Sequence, residues 1–103
     1  MKNIDIDVLR KELTNIIAAV RDSDELAVLL DGLLTPQEIR EVVFRWRLMN
    51  RLLDGVPQRE IAQELGVSLG KISRGSRLLQ FGPSEFRDLV ERLRRRNRGE
   101  DRG

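Results

Sequence analysis

The sequence predicts an all-α fold of six helices that is completed by a second copy of the chain. Three observations lead there. Apolar residues recur at the helical spacing of three and four, and no alternating stretch competes with them. Capping signals and glycines cut that pattern into six pieces. A chain of 103 residues, divided six ways, leaves its outer helices with apolar stripes it cannot cover alone. The first helices are therefore expected to pack on a partner chain.

The first helix carries the stripe Ile6, Leu9, Leu13, Ile16, Ile17 and Val20 and stops at Arg21-Asp22-Ser23. Ser23 is placed to cap a short second helix, Asp24 to about Gly32. Thr35-Pro36-Gln37-Glu38 reads as a capping box with proline at the first helical position, the clearest helix start in the chain. The long helix it opens carries Ile39, Val42, Val43, Trp46, Met49, Leu52 and Leu53, with Trp46 assigned to the core, and ends near Asp54-Gly55. Gln58 to Leu65, about Leu69 to Gln80, and Ser84 to about Arg95 supply the other three helices. The first three residues and the basic tail Asn97 to Gly103 are expected to be disordered, which leaves a single domain over 1–96.

Composition removes several function classes. There is no cysteine and no histidine, so disulfides, Cys/His zinc sites and any histidine-based triad or general base are excluded. No metal site is expected, and no nucleophile–base pair can be assembled, so the chain is not read as an enzyme. No apolar run approaches the ~18 residues of a membrane span, and no signal peptide is read at the start; a cytoplasmic location is expected. Charge is uneven. Residues 1–34 carry four basic and seven acidic side chains, residues 35–80 carry eight and five, and six arginines follow Glu91. An anionic partner meeting the second half explains this, and so does an ordinary solvated surface.

The strongest constellation is "QREIAQELGVSLGKISRGS", Gln58 to Ser76. Ile61 and Leu65 lie one turn apart, and Ala62 is small where a second helix must cross closely. Gly66 supplies a φ > 0 turn, Val67 plugs the corner, Ser68 caps the next helix and Ile72 anchors it. This is the pattern of a helix-turn-helix, here 58–80, whose second helix enters a DNA major groove. At 100° per residue that helix has three faces. Ile72, Ser76 and Leu79 point to the core. Gly70, Ser73 and Arg77 share a face open for bases and phosphates. Lys71, Arg74 and Leu78 form a third, with Gly75 on its border with the core. A bare DNA reader needs only two faces; the third asks for another partner. The segment "GVSLGKIS" imitates a phosphate-binding loop, but it is one residue short between glycines, Ile72 follows its lysine and no strand precedes it, so it is not a nucleotide site.

Arg45 is out of place on the long helix. Arg40, Arg47 and Arg51 oppose the apolar stripe, whereas Arg45 falls between Val42, Met49 and Leu52. Either it pairs with Glu41 at i,i+4, or it is a platform for an aromatic ring or a carboxylate. Gly75 likewise has two explanations: close helix packing, or the floor of a pocket for a flat ring.

Taken together, "LLTPQEI" at Leu33 to Ile39, "RWRL" at Arg45 to Leu48, "LLDG" at Leu52 to Gly55 and "QREIAQELGVSLGKISRGS" at Gln58 to Ser76 resemble the Trp repressors, over roughly residues 25–93. The resemblance implies an interlocked homodimer with L-tryptophan as co-repressor and a palindromic double-stranded operator. Arg45 and Arg74 match the two arginines that sandwich the indole, the second also meeting the ligand carboxylate with Thr35. Gly75 matches the glycine beside the indole, and the carbonyls of Gly32 and Leu34 would receive the ammonium from the other chain. Gln58 and Arg59 match the first DNA contacts, and Leu69, Gly70, Lys71 and Ser73 those at the groove, with Ser68 and Arg77 beside them.

Three departures stand out. Leu78 replaces a serine near the ammonium, Lys71 a threonine between ligand and DNA, and Gly70 a small side chain near the bases. The turn before the first DNA helix is also one residue shorter, with Pro57 in place of a capping serine. Three functions follow: a tryptophan-dependent repressor of amino-acid biosynthesis or transport genes, a DNA-binding regulator of the same fold that ignores tryptophan, and a protein-interaction adaptor with a structural helix-turn-helix.

Overall fold

The structure, a computed structural model, describes residues 4–99; the first three residues and 100–103 of the basic tail lie outside that range. Six helices follow in order: α1 (Ile6–Ala18), α2 (Ser23–Leu33), α3 (Pro36–Leu53), α4 (Gln58–Leu65), α5 (Leu69–Phe81) and α6 (Ser84–Asn97). Among the described residues there is no strand. The last helix therefore runs two residues past the expected end, and Arg98 and Gly99 close it as a turn.

The caps explain the boundaries. Asp5 opens α1 by accepting from the N–H groups of Asp7 and Val8. At α2 the expected cap is corrected by one residue. Asp22 is extended and accepts from Glu25 N–H at 2.9 Å, which makes Ser23 the first helical residue. A carboxylate outcompetes a hydroxyl there because it also meets the positive end of the helix dipole. Thr35 and Glu38 form the expected reciprocal box: Glu38 N–H donates to Thr35 Oγ1 at 3.1 Å, and Thr35 N–H to the Glu38 carboxylate at 2.9 Å. Gly55, at φ +80, ends α3 with paired bonds from Gly55 N–H to Leu52 O and from Val56 N–H to Arg51 O. Gly66, at φ +65, makes the turn between α4 and α5, and Ser68 caps α5 at Lys71 N–H.

Contacts within the chain fall into two compact units: the chain through Ile39, and the chain from Arg40 onward. In the first unit neither α1 nor α2 buries any residue; the α1 stripe lies in solvent, Ile6 at 66% exposure.

The second unit has a core of two adjoining clusters. Leu48, Ile61 and Ile72 form one, with Leu52, Val56, Ala62, Leu65 and Val67 packed against it. Met49, Leu79 and Val90 form the other, with Leu52, Leu53 and Phe86. This corrects the expected core face of α3. Leu48, which is not part of the apolar stripe in the sequence, is buried, whereas Trp46 is 38% exposed. The helix-turn-helix and α6 both fold onto the C-terminal half of α3, pulling in the neighbouring positions 48 and 49. Trp46 lies about 110° round the helix from their midpoint.

Glycine allows two close approaches. A Cβ on Gly75 would stand 3.1 Å from Leu48 Cδ2 and 3.6 Å from Met49 Cε, so α5 rests directly on α3 there. A Cβ on Gly82 would run into the carbonyl oxygen of Leu78, which fixes how α5 ends. Around this core runs a chain of charges. Glu64 accepts from Arg51 at 2.9 Å and faces Arg47 at 3.5 Å, tying α4 to α3. Arg94, only 9% exposed, donates to Asn50 and Asp54, tying the end of α6 to the end of α3.

The packing at Gly75 has a measurable consequence. Alanine removes the ~1 kcal/mol helix penalty of glycine. It also pushes a methyl group onto the buried Leu48, an overpacking cost of about 1–3 kcal/mol. Gly75→Ala is expected to lower stability by up to about 2 kcal/mol in urea melts. A gain approaching ~1 kcal/mol would show that the α3–α5 packing is slack.

Candidate nucleic-acid and effector faces

α5 is held from one side. Ile72, Gly75 and Leu79 are buried against α3, α4 and α6, and Ser76 is half-buried beside them. Leu69, Gly70, Lys71, Ser73 and Arg77 are exposed. A Cβ on Gly70 would meet only Ser68 Oγ, at 3.8 Å, an ordinary contact, so no clash requires the glycine there. Ser68 is exposed but its hydroxyl is committed to the cap. At the start of α4, Arg59 is exposed and Gln58 half-buried. Ser73 Oγ donates to Gln58 Oε1 at 3.3 Å. The first residue of α4 and the exposed face of α5 are thus joined by a direct bond. The sequence marks both residues but not their bond, because nothing local links positions 15 residues apart. Pro57 provides no side-chain cap for α4, as its replacement of a serine leads one to expect.

The third face of α5 is also solvent-facing: Lys71, Arg74 and Leu78 are all exposed. Arg45 is exposed on α3. Gly75 sits on Leu48 and Met49, and Arg45 lies one turn back along α3 from those two residues. The Arg74–Gly75 step of α5 therefore crosses α3 within a turn of Arg45. Gly75 itself is buried, and its approach to Leu48 accounts for the glycine through helix packing.

Gly32, Leu34 and Thr35 belong to the first unit. Gly32 lies in the last turn of α2. Leu34 is its extended cap residue, with its N–H donating to Leu30 O at 2.9 Å. Thr35 is engaged in the α3 capping box.

Arg45 and Arg74 offer two guanidinium planes to which no carboxylate among the described residues is bonded. Guanidinium both stacks on rings and pairs with carboxylates. Leu78 offers an ammonium nothing, since its side chain cannot accept a hydrogen bond. No group of three or more acidic side chains able to hold a metal occurs among the described residues, and none of their helices is long and apolar enough to cross a membrane.

The second unit is thus organised around a helix-turn-helix, with an exposed face on α5 and a second, basic face beside it. Comparison with known proteins places the chain more closely. The Trp repressor protein family model matches residues 10–94. A Trp operon repressor homolog of Vibrio parahaemolyticus is 33% identical over 84 residues, covering 81% of this chain and 82% of the relative. The homolog of Pasteurella multocida is 46% identical over 64 residues, 61% of this chain and 63% of the relative. That of Xylella fastidiosa is 38% identical over 69 residues, 66% and 75% respectively. The chain belongs to the Trp repressor family.

The capping box carries a pH signature. The backbone N–H of Thr35, and secondly its hydroxyl, hold the Glu38 carboxyl below its usual value of 4.5. A carboxyl so lowered adds stability that is present above 4.5 and is lost as pH falls through the lowered value. In an NMR titration Glu38 should titrate below 4.5, and Thr35→Ala should return it only part of the way, because the backbone donor remains. A Glu38 that titrates normally would mean that the box is open in solution.

Proposed function

We propose that this chain is a sequence-specific DNA-binding transcriptional repressor that acts in the cytoplasm as an interlocked homodimer on a palindromic operator. L-tryptophan is its co-repressor, and genes of tryptophan biosynthesis or transport are its targets. The observation that carries the reading is the anchoring of α5. Ile72, Gly75 and Leu79 fix one side of the helix, and Leu69, Gly70, Lys71, Ser73 and Arg77 are left in solvent. Helix-turn-helix proteins, Trp repressors among them, lay this second helix in the major groove and place their half-sites about one DNA turn apart. Lys71 and Arg77 supply phosphate or guanine contacts, and Gln58 and Arg59 seat α4 on the backbone. The solvent-exposed stripe of α1 supports dimerisation, since a partner copy is the simplest cover for Ile6, Leu9, Leu13 and Ile16.

In this mechanism the indole is held between Arg45 and Arg74, with Thr35 beside the carboxylate and the Gly32 and Leu34 carbonyls of the other chain on the ammonium. Tryptophan activates the protein only to the extent that it binds the DNA-competent arrangement more tightly than the free one. Leu78 favours a second reading, a regulator of the same fold that binds DNA without tryptophan.

Calorimetric titration with L-tryptophan separates the two. A saturable heat is expected, together with its loss in Arg74→Ala at an unchanged thermal melt. Absence of heat at millimolar ligand would overturn the co-repressor role. In parallel, the logarithm of DNA affinity should fall steeply and linearly with the logarithm of salt concentration. A flat dependence, or no DNA binding at all, would favour the adaptor function.

A further inference from the structure

We propose that the last turns of α6 bind DNA phosphates through Arg92, Arg95 and Arg96, which lengthens the footprint beyond the helix-turn-helix. The proposal rests on the DNA-binding reading above, and it starts from how the arginines of the second unit are used. Arg47, Arg51, Arg87 and Arg94 are all engaged by carboxylates. Arg92, Arg95 and Arg96 are exposed, and no carboxylate among the described residues is bonded to any of them. Asp88, one turn before Arg92, is not drawn into a pair with it, and Glu91 is taken by Arg87 at 3.5 Å.

Arg94 sets the direction of the other three. Its guanidinium is buried against Asn50 and Asp54, so this side of α6 faces α3. At 100° per residue Arg92 and Arg96 lie about 160° round the helix from Arg94, one on either side, and Arg95 about 100°. The free cations thus cover the outer surface of the same turn whose inner surface is fixed.

Position then selects the partner. Asp54, which holds Arg94, is four residues before Gln58, the first residue of α4. Four residues span at most about 14 Å, so the carboxylate that anchors α6 is no farther than that from the α4 N-terminus, where Gln58 and Arg59 meet the DNA backbone in the proposed complex. Both belong to one compact unit. Phosphates spaced along a duplex match a continuation of that basic surface. The C-terminal dipole of α6, equivalent to about half a negative charge, does not cancel three guanidinium groups.

The test compares wild type with Arg92→Gln/Arg95→Gln/Arg96→Gln on two duplexes, one trimmed to the helix-turn-helix site and one with flanking DNA of about one helical turn on each side. On the long duplex the triple variant should bind more weakly at low salt. Its salt slope should be shallower by about 0.9 for each phosphate that the variant no longer neutralises. On the trimmed duplex the two proteins should converge, and the corresponding triple lysine variant should keep most of the slope. Equal slopes on the long duplex would overturn the proposal and leave the arginines as a solvated helix end. A deficit of the same size on both duplexes would overturn it in favour of a general charge effect. Failure of wild type to bind either duplex would remove the DNA-binding reading itself.

Discussion

Ile61 and Ile72 are wholly shielded from solvent, and they close on Leu48. The direction of every exposed side chain on α5 follows from that packing. A helix fixed at Ile72, and again at Gly75 and Leu79, can no longer rotate about its own axis, because the anchors together lie against α3, α4 and α6. Interiors are packed densely enough that even a modest rotation would open a void on one side and a clash on the other. Leu69, Lys71, Ser73 and Arg77 are therefore presented by exclusion: they occupy the positions that the core does not use. The Gln58–Ser73 bond then joins the presenting helix to its neighbour at the exposed edge.

Charge is divided along the same line. Within the second unit the carboxylates Asp54 and Glu64 join helices, Asp54 to α6 and Glu64 between α3 and α4. The partly exposed pairs of Glu64 with Arg47 and Arg51 contribute little each, on the order of a few tenths of a kcal/mol. Their effect is on direction more than on total stability. Using acids inside the scaffold leaves exposed cations to which no carboxylate among the described residues is bonded, at Arg45, Arg59, Lys71, Arg74 and Arg77 as well as at Arg92, Arg95 and Arg96. The near-neutral whole-chain charge of +2 conceals this separation.

The helix order, the Thr35 box, the Gly66 turn and the α5 anchors Ile72 and Leu79 are legible in the sequence because each is a local or periodic signal. What is not legible is where a helix meets more than one neighbour. The stripe on α3 reads as one face through Trp46 and Met49, whereas the fold draws in Leu48 and leaves Trp46 exposed. The cause is that α4, α5 and α6 all return to the C-terminal half of that helix. Asp22 rather than Ser23 at the α2 cap is a smaller instance: two adjacent residues both suit the position, and only the backbone angles choose between them. Arg94 shows the same limit from the other side. In a run of arginines a sequence gives no reason to single out one. Yet Asn50 and Asp54, 44 and 40 residues away in the chain, bury that one and leave its neighbours in water.

For the proposed regulator this arrangement places a strict demand on coupling. Lys71, Arg74 and Leu78 alternate along α5 with Gly70, Ser73 and Arg77, so the effector face and the DNA face share one short helix of 13 residues. Any ligand that moves α5 moves both faces, and linkage requires that DNA tighten tryptophan binding by the same factor by which tryptophan tightens DNA binding. A rigid α5 cannot carry that coupling through internal bending. It must come from a shift of the whole helix-turn-helix on α3, that is, where Gly75 rests on Leu48. The glycine in the middle of the helix matters to that shift because it lets α5 lie directly on Leu48 and Met49, one turn along α3 from Arg45.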